Sequence, residues 1–411
     1  MNKLTSALCL LLAGGCNNLL AENTLSQALS AGDVDLNFRL RYEGVDQNGL
    51  GDTANALTLR SRLTYQSADY RGFKGILELD DVSYLSDDDF NNTRNGKASY
   101  PVVADPDGTD LNQFAIQYQS ESLMMKLGRQ RINVDNQRFI GGVGWRQNEQ
   151  TYDALMIEGT GFEDISMTYV YISGVSRVFG PEEGTPDKYL DSDSHIVHIG
   201  YKPTEKRSVV AYGYFLDLED APGVSASTLG IRFSDEYAIG DLTIPLTAEY
   251  ARQSDYGSNT ATYTAGYYAL DTGLSMLKVS VSIGFEVLEG DRVAAGEAFS
   301  TPLATLHKFQ GWTDKFLSTP GQGVEDIYFQ AGVKAGEGKI ILAYHDFNAE
   351  SSAADYGQEI DLSYSRKLNE HFSVLVKYAD YNADKFSTDT RKLWLMLTMN
   401  FWADHCGAII V

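Results

Sequence analysis

The 411-residue chain contains no apolar run of about 18 or more residues after its first two dozen positions, so its mature part has no candidate transmembrane helix. Cysteine is nearly absent as well: the chain has only Cys9, Cys16 and Cys406, and the first two precede the predicted start of the mature chain. A single remaining cysteine excludes an intramolecular disulfide. Oxidation is therefore not expected to stabilise the fold.

Basic residues are too few for a nucleic-acid-binding surface. The chain has 33 lysines and arginines against 56 aspartates and glutamates, which gives a formal net charge of -23. Nucleic acids require a basic field, so we predict no nucleic-acid partner. The acidic residues Asp105, Asp107 and Asp110 lack the spacing of an EF-hand loop, and we predict neither a metal nor a cofactor.

Catalytic motifs are missing too. The six histidines show no HExxH spacing, and no GxSxG or P-loop pattern occurs. We expect His195 and His198 at the start of a strand, where residues three apart point to opposite faces. A barrel hydrolase can assemble a triad from distant strands, but nothing in the sequence requires one. We predict that the protein is not an enzyme.

The N-terminus reads MNKLTSALCLLLAGG, a basic region followed by a short apolar segment. This pattern predicts a signal peptide over residues 1–21, with cleavage near Ala21. The alternative is lipoprotein processing at Cys16, since LAGGC is a lipobox with one glycine too many. Residues 22–33 are expected to form a short periplasmic segment, and TLSQALSAG within it is the only helix candidate.

Alternating apolar residues are what the chain has in abundance. Residues 392–401 read KLWLMLTMNF, and Leu393, Leu395, Leu397, Met399 and Phe401 share one parity. Successive side chains of a strand point to opposite faces, so this segment predicts a strand with one apolar face. Similar segments recur from position 34 onward, and we predict about 18 strands. Clear examples span residues 34–43, 56–66, 114–119, 165–173, 228–234, 276–287, 358–367 and 372–381.

Short and long connections alternate between these segments. The short ones include residues 120–122, 202–207, 336–338 and 367–371, and the long ones include 85–110, 132–150, 174–194 and 288–325. Such alternation is typical of a barrel with short periplasmic turns and long extracellular loops, whereas a propeller or sandwich has no reason for it. We predict an all-β, antiparallel, up-and-down transmembrane β-barrel over residues 34–401 in the bacterial outer membrane. A secreted, soluble β-rich binding protein is the alternative.

The segment 392–401 is interpreted as the closing strand, with its apolar face toward lipid. Its terminal Phe401 resembles the C-terminal signature by which outer-membrane proteins are recognised for assembly. The expected partners are therefore outer-membrane lipid, lipopolysaccharide and the barrel assembly machinery. Residues 402–411 continue past the aromatic residue, either as a C-terminal tail or as a reading-frame artefact.

If the apolar parity of each strand faces lipid, the other parity faces the lumen. Four arginines of the first two strands then lie together: Arg39, Arg41, Arg60 and Arg62. Other inward basic residues are Lys126, Arg232, Lys278, Lys377 and Lys392, and inward acidic residues are Glu78, Asp80, Glu249, Glu286, Glu359 and Asp361. The arginines have two possible roles. They form ion pairs that hold the barrel's shape, or they form a row of cations (an arginine track) along which anions pass, since guanidinium groups match carboxylates and stay charged. We expect the basic residues to cluster near the seam between the first and last strands, apart from the acidic strands, which supports the track.

The stretch 127–155 places four arginines at or above one strand end, together with a glycine-rich turn and Trp145. They are Arg129, Arg131, Arg138 and Arg146. A loop of this length and composition suits a segment that folds into the barrel and narrows the pore. The alternative is a surface loop whose arginines bind lipopolysaccharide phosphates.

The pattern GRQR, DNQRF, GWRQN and TYDA in this stretch, and the later HKFQGWTDKFLSTPGQGVEDIY over residues 307–328, resemble the alginate export porin family. The resemblance implies an 18-stranded outer-membrane barrel that passes an anionic uronate polysaccharide through a basic lumen, with loops acting as gates. It also implies that Arg39, Arg41, Arg60, Arg62 and Arg129 bind carboxylates.

The segment 288–325 contains His307, Lys308, Trp312, Asp314 and Lys315. Either Trp312 stacks on a sugar ring while Lys308 and its neighbours hold the acid group, or the segment is a solvated lid. We expect the protein to be a porin that passes anionic, uronate-type solutes by passive diffusion. A general or cation-preferring porin with fully paired arginines is the alternative.

Overall fold

The computed structural model describes residues 24–291 and 297–403, apart from the side chains of residues 160–162 and 403. Within these ranges one short helix precedes a series of long strands. The predicted signal peptide, its cleavage site at Ala21, the alternative site at Cys16, and residues 404–411 of the predicted tail lie outside the described residues. Trp402 and Ala403, assigned to the tail by the sequence, belong to the last strand.

The strands run from residue 33 to residue 403, and their bounds are β1 (Asp33–Gln47), β2 (Ala54–Gln66), β3 (Phe73–Tyr84), β4 (Gly108–Gln119), β5 (Leu123–Gln130), β6 (Thr151–Phe162), β7 (Ile165–Ser176), β8 (Tyr189–Tyr201), β9 (Ser208–Leu216), β10 (Ala226–Ile239), β11 (Leu242–Asp255), β12 (Thr264–Met276), β13 (Val279–Leu288), β14 (Val324–Ala335), β15 (Gly338–Asn348), β16 (Asp355–Lys367), β17 (Phe372–Ala383) and β18 (Thr390–Ala403). Two 3-10 turns, Pro222–Val224 and Leu306–Lys308, lie in the loops.

Each strand pairs in antiparallel fashion with the next, and β1 also pairs with β18. The 18-stranded sheet is therefore closed, with Arg39 opposite Thr398 across the seam. Closure leaves no unpaired sheet edge, which is the condition for strands to cross lipid. The predicted all-β, up-and-down barrel is confirmed. Among the described residues, the structure has no helix with the length and apolar character to cross a membrane.

The helix α1 (Leu25–Ser30) forms where the sequence predicts it. Thr24 and Gln27 make a reciprocal capping box, which satisfies backbone N–H groups at the first turn. The buried Ala28 accepts a 3.0 Å backbone hydrogen bond from Ala68, in the β2–β3 turn. The helix therefore lies at the end of the barrel that carries the short turns.

Successive side chains of a strand point to opposite faces, and the two faces of the barrel wall differ in polarity. On the outside, Leu36 is 39% exposed and Leu395 is 46% exposed, whereas Arg41 and Glu43 inside are each 1% exposed. The inward face of β18 is less polar than the sequence suggests, because it carries the fully buried Trp394. The strands at the seam thus present apolar residues outward, and Arg41 and Glu43 point inward.

Three local predictions are wrong. Lys278 does not face the lumen, because β13 begins only at Val279 and Lys278 lies exposed in the turn after β12. His195 and His198 lie within β8 and not at its start, although they do occupy opposite faces. The segment 288–325 is not a solvated lid, since Phe299, His307 and other residues of it are buried inside the barrel.

Candidate functional site: a vestibule above two infolded loops

Residues 131–150, between β5 and β6, fold into the barrel and are called here the first infolded loop. At one wall the guanidinium of Arg39 donates hydrogen bonds of 2.9 Å to Gln147 Oε1 and 2.8 Å to the Gly144 carbonyl, and a third to the Arg146 carbonyl. Arg41 donates to the Trp145 carbonyl. The arginines of β1 therefore hold this loop to the wall.

The same loop reaches the opposite wall through Phe139. Its ring contacts Tyr212 of β9 at a centroid distance of 5.4 Å and Tyr267 of β12 at 5.2 Å. The buried aromatic cluster fixes this end of the loop by apolar contact. The loop thus crosses the lumen, and the prediction that it folds in to narrow the pore is confirmed.

Residues 289–323, called the second infolded loop, lie beside the first; residues 292–296 of it are not described. The Gly141 N–H donates to the Leu303 carbonyl at 2.9 Å, and the Thr305 N–H donates to the Gln137 carbonyl at 3.0 Å. At the wall, Glu359 of β16 accepts hydrogen bonds from the backbone of residues 312 and 313 and from the Thr313 hydroxyl. The two loops form one layer across the barrel.

The arginines of β2 are engaged by carboxylates. Arg62 makes two parallel hydrogen bonds of 2.6 Å to Asp80, and its third nitrogen lies 3.0 Å from Glu149 of the first loop. Arg60 donates to Asn37 at 2.6 Å and lies 3.6 Å from Glu149. Acidic and basic residues are therefore interleaved, and the expected separation of the arginine cluster from the acidic strands is wrong.

The arginines of the 127–155 stretch are paired as well. Arg129 makes two hydrogen bonds of 2.9 Å to Asp153, and Arg131 bonds Glu149 at 2.6 Å and Glu78 at 2.9 Å. Arg138 bonds Glu286 at 2.7 Å across the barrel interior. Arg131 and Arg138 lie in the lumen as predicted. The prediction is wrong for Arg129, because it lies directly opposite Phe114 in the β4–β5 pairing, and Phe114 is 62% exposed on the outer face. Direct contact of Arg131 and Arg138 with a solute stays a prediction, because carboxylates of the chain occupy them.

Burial alone would raise the pKa of Glu149, but the charges of Arg62, Arg131 and Arg60 outweigh it and lower the pKa to about 2. Glu149 is therefore an anion throughout the physiological range. It neutralises arginines of both the wall and the first loop, so it joins the two electrostatically.

The other candidate residues lie in three separate places. Lys126 faces the lumen from β5 and makes no ion pair with a described residue. Lys308 is exposed, and its ammonium donates to the Asn136 carbonyl at 3.0 Å. Trp312 is half-buried, and its ring faces Lys377. The structure does not bring these three residues into one site.

Lys377 of β17 lies in a cage of aromatic rings that the sequence did not reveal. Its ammonium is 3.7 Å from the ring centroid of Trp312, 4.2 Å from that of Trp145 and 5.3 Å from that of Trp394. It also bonds His307 Nε2 at 2.8 Å. Cation–π attraction is strong for a desolvated ammonium. One lysine of the wall therefore holds a tryptophan from each infolded loop.

His307 connects this cage to Asp314. Burial, and then the charge of Lys377, lower the pKa of His307 to about 3, so the imidazole is neutral. Its Nδ1 donates to Asp314 at 2.7 Å while Nε2 accepts from Lys377. Asp314 also accepts from Lys392 at 2.6 Å and from Arg146 at 3.1 Å. Both loops and the wall meet at Asp314.

A vestibule of about 1230 Å³ lies on the extracellular side of this layer. Its walls come from the long loops and its floor from the two infolded loops. Among the described residues, the cations that line it are Arg146, Arg177, Lys315 and Lys392, and the one carboxylate is Asp314. Apolar residues such as Phe179, Leu306 and Leu317 line it too. Arg177 was missed at the sequence level, because a loop has no periodicity that assigns a direction to a side chain.

Comparison with known proteins supports the fold and the resemblance to a known family. Residues 13–166 match the sequence family described as alginate export. No curated protein sequence matched the chain significantly.

Solved porin structures match nearly the whole barrel. Pseudomonas aeruginosa OccK9 (OpdG) is 14% identical with a TM-score of 0.73, and 92% of this chain and 100% of that chain are covered. Acinetobacter baumannii OccAB4 is 12% identical with a TM-score of 0.71, with coverage of 91% and 99%. Pseudomonas aeruginosa OpdK with vanillate is 12% identical with a TM-score of 0.67, with coverage of 91% and 100%. At these identities the likeness shows the fold alone.

The matched family and structures are those of export or channel proteins. The match over residues 13–166 confirms the predicted resemblance to alginate export porins. Together with the closed 18-stranded barrel and its apolar outer face, it identifies the chain as a porin-like channel of the bacterial outer membrane.

Proposed function

We propose that the channel passes anionic solutes by passive diffusion, with uronate-type saccharides as the solute class. The observation that carries this proposal is the charge of the vestibule. In a chain of net charge -23, the described residues that line the vestibule include four cations and one carboxylate. A local field of this sign concentrates anions at the entrance of a pore and lowers their barrier to entry.

The neutral part of the lining suits a solute with a ring. Phe179, Leu306 and Leu317 line the vestibule together with the cations, so the face of a saccharide ring has apolar surface to contact while its carboxylate meets a cation. One structurally similar porin was solved with vanillate, which is also a ring that carries a carboxylate. Because two loops cross the lumen, single sugars or short oligomers suit this structure better than a long polysaccharide.

A general or cation-preferring porin remains the second candidate. The pairing of Arg62 with Asp80 and of Arg138 with Glu286 favours it, because these arginines have no free charge to offer a solute. In that case the vestibule cations would not determine which solutes pass, and the lumen wall would have no net charge that favours anions.

Solute entry into proteoliposomes separates the two candidates. Glucuronate, glucose and glucosamine have nearly the same size and differ in charge, so their relative swelling rates report charge preference. We expect glucuronate to enter fastest and glucosamine slowest. An Arg177→Gln and Lys315→Gln double variant should remove most of this preference. Fastest entry of glucosamine into wild-type vesicles would contradict the proposal.

We also propose that the apolar outer face contacts lipid and lipopolysaccharide, and that the barrel assembly machinery recognises β18. Phe401 is exposed on the outer face of this strand, which supports a role in recognition. Phe401→Ala should reduce the fraction of heat-modifiable, assembled barrel in outer membranes. An unchanged fraction would argue against this role.

A further inference from the structure

The carboxylate of Asp314, on the second infolded loop, lines the vestibule. Its side chain is 5% exposed and accepts hydrogen bonds from His307 at 2.7 Å, Lys392 at 2.6 Å and Arg146 at 3.1 Å. The donors come from the second loop, from β18 and from the first loop. A carboxylate between an ammonium and a guanidinium is the arrangement that these cations would give a carboxylate solute.

The cations around Asp314 are also cations of the vestibule. Arg146, Lys392 and Asp314 all line the vestibule, so a solute in it reaches them without crossing the loop layer. Asp314 is the one ion-pair partner of Lys392 among the described residues, whereas Arg146 also contacts Glu43 at 3.2 Å. If Asp314 leaves, Lys392 is a buried cation without a counter-charge, and another anion becomes favourable there.

The backbone at Asp314 is in a conformation that L-residues seldom adopt. Its φ is 63°, and Gln310 nearby has φ of 49°. Left-handed conformations cost energy in non-glycine residues, although aspartate tolerates them better than most. Contacts of the carboxylate therefore hold this segment of the second loop in place, and their loss would allow it to relax.

We propose that Arg146 and Lys392 form a carboxylate-binding site that the chain's own Asp314 fills in this structure, and that the carboxylate of an entering solute takes its place and releases the second loop from β18. This inference rests on the proposed function, since it requires an anionic solute. The exchange replaces one carboxylate by another, so the two cations stay paired throughout. The solute shifts the equilibrium between the attached and the released loop because it binds Arg146 and Lys392 only when Asp314 has left them.

The second loop has further contacts that would keep it near the wall after the exchange. Glu359 still holds residues 312 and 313, and Lys377 still holds Trp312. His307 keeps its bond to Lys377 when its bond to Asp314 is broken. The loop would therefore shift locally at Asp314 and return when the solute leaves.

Block of the chloride current by glucuronate in planar bilayers tests the site. Asp314→Asn removes the competing charge, so the half-blocking concentration of glucuronate should fall about tenfold. Lys392→Met should raise it. Glu249→Gln is the matched control, since it also removes one carboxylate of the lumen, paired with Arg232 on β10, but does not line the vestibule. Heat-modifiable gel mobility confirms that each variant is folded.

The result that would overturn the site is an equal half-blocking concentration for wild type and Asp314→Asn in an anion-selective channel. A purely structural role of Asp314 predicts this equality. The selectivity of the wild type is measured in the same recordings, and cation selectivity there would overturn the proposed function itself. Hydrogen exchange gives a second test: glucuronate should speed exchange of the amides of residues 314–319 in wild type and have no effect on their exchange in Lys392→Met. Equal exchange with and without glucuronate in wild type would contradict loop release.

Discussion

The side chain of Arg39, on the first strand, donates a 2.9 Å hydrogen bond to the side-chain oxygen of Gln147, on the first infolded loop. Gln147 in turn donates to Thr58 Oγ1 at 2.8 Å on the second strand. The loop is thereby bound to the wall by residues that are buried from solvent. The arginines of the first strand accordingly position the loop, and the vestibule cations lie on the extracellular side of it.

Arg39→Met should loosen the first loop and increase the single-channel conductance. The substitution removes the hydrogen bonds from one buried guanidinium to Gln147 and to two backbone carbonyls. A charged hydrogen bond contributes about 1.5–3 kcal/mol, so on the order of 3 kcal/mol of loop attachment or more is lost. Conductance in planar bilayers measures the effect.

Arg129→Met is the matched control for this change. It removes the same type of side chain from the outer face of the barrel, where Arg129 pairs with Asp153 on the neighbouring strand and has no hydrogen bond to the first loop. Its conductance should stay close to that of the wild type. If Arg39→Met and Arg129→Met conduct alike, the arginine of the first strand does not hold the loop.

The anion preference should weaken as the pH rises from 7 to 9. Burial, and then the charge of Lys392, lower the pKa of Lys315 to about 8. A lysine is a cation below its pKa and neutral above it, so the vestibule loses one positive charge over this interval. Reversal potentials measured at several pH values would show the change.

Lys315→Arg provides the comparison, because arginine stays charged at pH 9. This variant should keep its anion preference across the interval in which the wild type loses part of it. The same pH profile in both proteins would mean that Lys315 does not contribute to the field of the vestibule.

Lys377→Met should release the two infolded loops from each other at the aromatic cage. The ammonium lies 3.7 Å from the Trp312 ring and 4.2 Å from the Trp145 ring, and each desolvated cation–π contact contributes on the order of 2 kcal/mol. Hydrogen exchange of residues 306–314 should become faster. Lys339→Met, at an exposed lysine near the periplasmic turn, is the control and should leave this exchange unchanged. An exchange rate in Lys377→Met equal to that of the wild type would show that the cage does not hold the loops.

The barrel could be predicted from the sequence because its physical signal is local. A strand in lipid needs an apolar residue at every second position, so the direction of Arg39 and of Arg41 follows from the parity of Leu36 and its neighbours. The same rule failed at Lys278, because parity gives no strand boundary and the strand begins one residue later. Where the period is clear, the sequence decides the direction of a side chain.

The candidate site could be predicted only in part. The sequence pointed to Arg146 and to the segment that contains Asp314, but these residues are 168 positions apart and no local pattern indicates that they pair. Infolded loops have no period, and their position depends on distant contacts such as that of Phe139 with Tyr212. The counter-charges of the arginines were therefore invisible until the loops were placed.

The reversal potential of the refolded channel in a planar bilayer, under about a tenfold gradient of potassium chloride, tests the central claim most directly. The four cations and single carboxylate of the vestibule predict a reversal potential displaced toward the equilibrium potential of chloride. A displacement toward the equilibrium potential of potassium would contradict an anion channel.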